Sequence, residues 1–254
     1  MQFDYFMTAW DPDAYQQFFA ERHQAGHDLI ARVDAVAPRC IVDLGCGTGR
    51  LTSELAVRWP EALVIGIDRS AEMIAAAPST GVTYTVGDIE TWSPSEPVDV
   101  LFANASLHWI ADHRHLFPHL VSMLAPGGTL AVQMPLSWEQ SSHRILREVS
   151  SGYGVTIDSP PTLQPNDYHD VLAGRAGTEV WVTTYYHVLH GENPVFRWVS
   201  STGIKRFLAR IDPDLHDEFL AECAHRIAAA YPPNHRQETV FPFTRLFVLA
   251  RAAG

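Results

Sequence analysis

The segment Ile41-Val42-Asp43-Leu44-Gly45-Cys46-Gly47-Thr48-Gly49 constrains this chain more than any other. An apolar run enters three alternating glycines, and Leu51, Leu55 and Trp59 then follow at i, i+4 and i+8, one face of a helix. Glycine lets the backbone turn sharply and approach a ligand with no Cβ in the way, and the helix that follows begins with unpaired N–H groups. A strand, a glycine turn and a helix in this order open an α/β sheet.

The flanking chain repeats the alternation. Leu63–Ile67, Val82–Val86, Val98–Ala103 and Thr129–Gln133 read as strands and Ala71–Ala77 as a short helix. Leu116, Leu120, Met123 and Leu124 form a helical stripe ended by Pro126-Gly127-Gly128. The expected fold is α/β, a Rossmann-like doubly wound, mostly parallel sheet with helices on both faces. Two helices are expected ahead of the first strand. Asp11-Pro12 opens one, with Tyr15, Phe18, Phe19 and Arg22 on one side; Leu29, Val33 and Val36 mark the other. Beyond the sheet core, Ser159–Asn166 reads as a Pro-rich loop and Glu179–Leu189 as a strand. Asn193-Pro194 and Asp212-Pro213 open helical segments, the second carrying Leu215, Phe219, Cys223 and Ile227 until Tyr231-Pro232-Pro233 stops it. Arg245–Ala250 is the last strand. The expected organisation is one domain over 1–254, with a helical lid at 9–37, a ligand-binding core at 38–135 and a connecting segment at 136–178. The last two strands fill 179–254, with a helical cap at about 192–233 inserted before the final one.

Composition narrows the function classes. At 254 residues, 46% hydrophobic and 19% charged, the chain is globular. Its longest apolar stretches, such as Ala125–Met134, fall short of the roughly 20 residues of a membrane span, and Met1–Trp10 has no basic head of a signal peptide. A charge of 18 − 29 = −11 disfavours non-specific nucleic-acid binding. Cys40, Cys46 and Cys223 cannot all pair, and no Cys-x-x-Cys is present, which suits a reducing cytoplasm and offers no metal cluster. The expected partner is a small molecule, with no nucleic acid, no membrane and no obligate protein partner.

The acids around the glycines say which small molecule. Asp68 ends the second strand, 19 residues after Gly49, where a carboxylate bonds ribose hydroxyls. Asp88 ends the third strand after Gly87, where an adenine edge is read. The dinucleotide fingerprint Gly-x-Gly-x-x-Gly, counted from Gly45, meets Arg50 at its third glycine. Asp43 beside the turn repels a pyrophosphate and suits an ammonium group. S-adenosylmethionine has an amino-acid end, a ribose and an adenine, and no phosphate, so the charge pattern selects it over a nicotinamide dinucleotide. Cys46 reads as a small filler.

Asp43–Gly49, Gly66-Ile67-Asp68 with Met73, and Asp88-Ile89 resemble the class I S-adenosylmethionine-dependent methyltransferases. Ala103-Asn104-Ala105-Ser106-Leu107-His108-Trp109, Leu130-Ala131-Val132-Gln133-Met134-Pro135, Thr183-Thr184-Tyr185-Tyr186-His187 and Phe241-Pro242 with Arg245-Leu246-Phe247 are more specific and resemble the trans-aconitate 2-methyltransferase family. The likeness runs from about Ala9 to Ala250, with departures at Gly203-Ile204-Lys205-Arg206 and Trp138–His143. It implies methyl transfer to one carboxylate of a tricarboxylate, leaving S-adenosylhomocysteine. It also implies donor contacts from Asp43, Gly45, Gly47, Asp68, Met73, Asp88, Ile89, Asn104 and Ser106, with His108 and Trp109 near the reacting methyl.

A carboxylate with a pKa of about 4 is already ionised at neutral pH, so such an acceptor needs orientation rather than a general base or metal. His108 is the favoured catalytic group, as a hydrogen-bond donor to the acid, with Tyr186 or Tyr185 beside it. Alternation along a strand sends Tyr185 and His187 to one face and Tyr186 to the other. Arg22, Lys205 and Arg206 are candidate carboxylate holders, and Trp10 and Tyr15 candidate closing aromatics. The competing readings are methylation of another carboxylate, a hydroxyl or a carbon, and a silent donor-binding module.

Overall fold

The structure, a computed structural model, describes residues 18–78, 81–158, 162–201 and 203–254. Trp10, Tyr15 and the Asp11-Pro12 cap lie outside the described residues. In chain order come α1 (Phe19–Arg32), β1 (Cys40–Leu44), α2 (Arg50–Arg58), β2 (Leu63–Asp68), α3 (Ala71–Ala75), β3 (Thr83–Val86) and β4 (Val98–Asn104). A 3₁₀ turn (Leu107–Trp109), α4 (His113–Ser122), β5 (Leu124–Pro135), α5 (Ser141–Gly152), α6 (Pro165–Leu172) and β6 (Ala176–His190) follow. The chain ends with α7 (Pro194–Ser200), α8 (Lys205–Leu208), a 3₁₀ turn (Pro213–Leu215), α9 (His216–Ala230) and β7 (Glu238–Ala252).

The sheet has seven strands in the order β3-β2-β1-β4-β5-β7-β6. Pairing from β3 to β5 is parallel, and β7 lies antiparallel to β5. The strand order reverses between β1 and β4, and the carboxyl ends of these strands are where open sheets of this type bind ligands. The apolar runs of the central strands are fully buried, Ile41, Val42 and Leu44 on β1 and Val100, Leu101 and Phe102 on β4 among them. Strands covered on both faces are continuous apolar runs for this reason.

Two compact units divide the chain. One comprises His23–Pro135, the described part of Pro160–Thr183, and Arg245–Gly254. The other comprises the described parts of Met1–Arg22, Leu136–Ser159 and Thr184–Thr244. The second has its own core, in which Phe196, Phe207, Phe219, Cys223, Ile227 and Phe241 are buried. Phe219, Cys223 and Ile227 are the predicted stripe of α9; Leu215, ahead of it, is exposed. No described helix is long and apolar enough to cross a membrane.

Several boundaries differ from expectation. Arg22 and Leu29, expected on separate helices, share α1, and Val36 lies beyond its end at 93% exposure. Nothing between them breaks the helix: Gly26 serves close packing, since a Cβ there would lie 2.5 Å from Leu51. The stripe expected to run to Leu124 stops at Ser122, and Pro126-Gly127-Gly128 lies inside β5. The register shifts there, Val98 pairing with Leu124 and Val100 with Thr129; within this irregularity Gly127 takes φ +73°, and a Cβ on Gly128 would lie 2.9 Å from the carbonyl oxygens of Ala125 and Val98. The connecting segment holds two helices. Ile145, Leu146 and Val149 bury one side of α5. Pro165, expected in a loop, opens α6, where the Gln164 N–H donates to Asp167 Oδ2 at 3.2 Å.

Candidate active site

The site builds outward from the turn between β1 and α2. Gly45 has φ +77°, and its N–H and that of Cys46 both donate to the Ile67 carbonyl of β2, at 2.7 and 2.9 Å. A Cβ on Gly45 would sit 2.3 Å from Ser106 Cβ, and one on Gly49 (φ +73°) 2.2 Å from Tyr84 Oη. Side chains from β3 and from the end of β4 therefore close on the turn as only glycine allows. Gly47 instead faces open space. Ser106 donates to the Leu44 carbonyl at 2.6 Å, and Ala105, at φ +53°, carries the chain round to make that bond.

The acids have distinct surroundings. Asp43 is 2% exposed and accepts from Thr52 Oγ1 at 2.6 Å. Burial pushes its pKa up to about 7; the Thr52 bond opposes the rise and the charge of Asp68 adds to it. The charge expected beside the turn is thus balanced near neutrality between carboxyl and carboxylate, and a cation placed against it would complete the ionisation. Burial and the same two acids drive the Cys46 thiol far up, which keeps it protonated. Asp68 spreads its carboxylate over two backbone donors, Gly47 N at 2.8 Å and Ser70 N at 2.9 Å. It shapes the turn while its remaining lone pairs stay available. Ser70 caps α3 by accepting from Met73 N, which places Met73 beside this corner. Asp88 is exposed and accepts from Glu90 N at 3.0 Å, and Ile89 Cδ1 reaches to 3.6 Å from where a Gly45 Cβ would be.

At the end of β4, Asn104 Oδ1 is buried with no partner among the described residues. Its register neighbour on β5, Gln133, is fully buried with neither amide atom paired among them. Such orphaned atoms are costly and mark a place for a polar ligand or ordered water. Sequence reasoning singled out Asn104 and missed Gln133, whose signal was a lone amide in an otherwise apolar strand. His108 and Trp109 follow on the 3₁₀ turn with rings 4.6 Å apart, His108 half-buried and Trp109 58% exposed.

A hydrogen-bonded chain that sequence reasoning also missed holds that turn. His113 pairs with the Leu107 carbonyl through Nε2 at 3.0 Å and with Tyr168 through Nδ1 at 2.7 Å. The carbonyl only accepts, so Nε2 carries the proton and Nδ1 accepts from the Tyr168 hydroxyl, which itself accepts from Leu163 N. Burial lowers the His113 pKa, which keeps the ring in this neutral form. The buried end of α4 thereby ties down the residue immediately before His108.

The remaining candidates lie in the second unit. Tyr185 is buried and parallel to His187, 6.0 Å away, and His187 stacks on Trp198 at 5.4 Å. Tyr186, expected as a catalytic group, is 69% exposed on the opposite face of the strand, so of the pair only Tyr185 joins an ordered cluster. Arg22, expected to hold substrate, is buried with its guanidinium 4.7 Å over the Trp198 ring and donates to the Trp198 carbonyl and, at 2.6 Å, to Ser201 Oγ. It caps the end of α7. Lys205 and Arg206 open α8, both half-buried; burial lowers both pKa values, and neighbouring Arg147 and Arg210 lower that of Arg206 further.

The arrangement suits a ligand with an ammonium, a ribose and an adenine: a titrating buried acid, a shaped turn with one open glycine, acids at successive strand ends and an unpaired buried amide. Comparison with known proteins agrees. The family described as a methyltransferase domain matches residues 41–128. The trans-aconitate 2-methyltransferase of Klebsiella pneumoniae (strain 342) is 41% identical over 250 residues, 96% of this chain and 98% of that protein. The protein of the same name from Azoarcus sp. (strain BH72) is 39% identical over 251 residues, covering 96% and 99%. Among solved structures, the YcgJ protein of Bacillus subtilis superposes with a TM-score of 0.59 at 15% identity, over 91% of this chain and 99% of its own, a likeness of fold.

Proposed function

The chain belongs to the trans-aconitate 2-methyltransferase family, and from that premise we propose that it methylates one carboxylate of trans-aconitate or a similar small polycarboxylate. The products are a monomethyl ester and S-adenosylhomocysteine. The observation that carries the acceptor is likeness at about 40% identity across nearly the whole chain, cap included.

S-adenosylmethionine supplies a sulfonium methyl, which an acceptor carboxylate oxygen takes as the carbon–sulfur bond breaks and the sulfur keeps the electron pair. No proton moves, so the chemistry calls for neither a base nor a Lewis acid, and the work of the protein is placement. Asp43 would hold the donor's ammonium through its carboxylate, the form that a neighbouring cation favours. Gly45 and Gly47 present backbone to the donor, Asp68 and Asp88 take the ribose and the adenine edge, and Met73, Ile89 and Trp109 pack its faces. Asn104 supplies its unpaired oxygen, and Ser106 holds the turn closed through Leu44. His108 is the hydrogen-bond donor of its own unit for the acceptor acid; Tyr186, Tyr185, Lys205 and Arg206 are the candidate acid-binding groups of the second unit. The enzyme is read as cytoplasmic, acting on a small acid without metal, nucleic acid, membrane or protein partner.

Incubation with methyl-labelled S-adenosylmethionine and a panel of acids and phenols tests this reading. The label is expected on trans-aconitate and to be released as methanol by mild base, as an ester must. Base-stable label on a phenol, with trans-aconitate unlabelled, overturns it.

A further inference from the structure

In the cap unit two arginines share one indole ring. Arg147, on α5, lies with its guanidinium carbon 4.0 Å from the Trp138 ring centroid and donates to the Trp138 carbonyl. Arg206, on α8, lies 4.9 Å from the same centroid and 5.3 Å from that of Phe207. Their charges are unevenly matched. Arg147 has Glu139 at 3.7 Å, a carboxylate 83% exposed and so weakly held. Arg206 makes no hydrogen bond or ion pair with any described residue, and its Nε is buried without an acceptor.

The histidine packed beside them is neutral. His143 bridges the Ser137 and Ser142 hydroxyls, Nε2 and Nδ1 each at 3.2 Å. Burial and the charges of Arg206 and Arg147 hold its pKa at about 4, so it adds no charge at neutral pH and reports a positive potential. Arg210 adds to that potential and Lys205 adjoins it. A half-buried excess of positive charge is unusual in a chain of net charge −11. Two guanidiniums held by an aromatic ring keep their planar forks oriented, and such forks match carboxylate geometry in bidentate fashion.

We propose that Arg206 and Arg147, mounted on Trp138, form a carboxylate site of the cap unit that binds small polycarboxylates, the acceptor acid of the proposed reaction among them. It deepens, and in its link to catalysis rests on, the acceptor assignment above; the anion site itself stands on cap geometry alone.

Calorimetry on the full chain loaded with S-adenosylhomocysteine tests it, with trans-aconitate and citrate as separate probes. Wild type is expected to bind both, more weakly as salt rises. Arg206→Gln and Arg147→Gln should each weaken both probes 10-fold or more, Arg206→Lys less, with S-adenosylhomocysteine affinity and melting temperature close to wild type. Unchanged citrate affinity in a folded Arg206→Gln variant overturns the site, as does a wild type that binds neither probe. Binding of citrate that is lost in Arg206→Gln, with no methyl transfer to trans-aconitate, leaves the site standing and removes the acceptor assignment.

Discussion

Replacing Asp43 by asparagine isolates what its burial costs. The folded chain raises this pKa from 3.8 to about 7, so between those values it keeps a proton that the unfolded chain has released. The folded state then binds more protons than the unfolded one, and stability falls as the pH rises through the window. A displacement of about 3 units, at about 1.36 kcal/mol each, sets the total loss at about 4 kcal/mol. Asparagine has no proton to lose. Wild-type stability minus that of Asp43→Asn should therefore drop by about 4 kcal/mol between about pH 4 and about pH 8. Whatever it costs to fit the amide against Thr52 is constant with pH and cancels from that drop. Urea denaturation of both proteins at steps across the window is the assay. Parallel profiles, or a wild type that gains on the variant as pH rises, refute the argument, because either means that Asp43 is ionised in the folded chain throughout. The same variant should bind S-adenosylhomocysteine less tightly, since an amide cannot neutralise an ammonium group.

Asp68→Ala removes the acceptor of Gly47 N and Ser70 N, and donor binding should weaken roughly 10- to 100-fold by calorimetry, the value of charge-assisted bonds of about 1.5–3 kcal/mol. An unchanged affinity would contradict its role at the turn. Gly45→Ala drives a Cβ onto Ser106 at a positive φ, and thermal unfolding should show a loss of about 2–4 kcal/mol, from overpacking and left-handed backbone together. Ser106→Gly in the same chain should recover part of that loss. His108→Ala should lower kcat about 10- to 100-fold, the scale of a misplaced reactant, and leave the donor dissociation constant unaltered; a weakened donor with normal kcat would move His108 out of the acceptor's neighbourhood.

Much of the geometry around the glycine turn was legible because its signals are local. The glycine trio needs only its own neighbours to read as a turn, and Asp68 and Asp88 declare themselves by ending apolar runs. The stripe Phe219, Cys223 and Ile227 foretold the buried side of α9 for the same reason. Legibility failed where packing decides. Pro126-Gly127-Gly128 reads as a helix stop, yet it lies inside β5, at the register irregularity opposite Val98 and Val100. His113 was one histidine among 13 until Leu107 and Tyr168 closed on its two nitrogens.

The amino-acid order by itself determined the α/β sheet, the glycine turn and the acids around it, because periodicity, glycine freedom and strand ends act over a few residues. Only tertiary structure decided that Asp43 titrates near neutrality, that Tyr185 is buried and Tyr186 is not, and that Arg147 and Arg206 meet on one ring. Those outcomes depend on desolvation and on charges brought together from distant parts of the chain, and no local pattern records either.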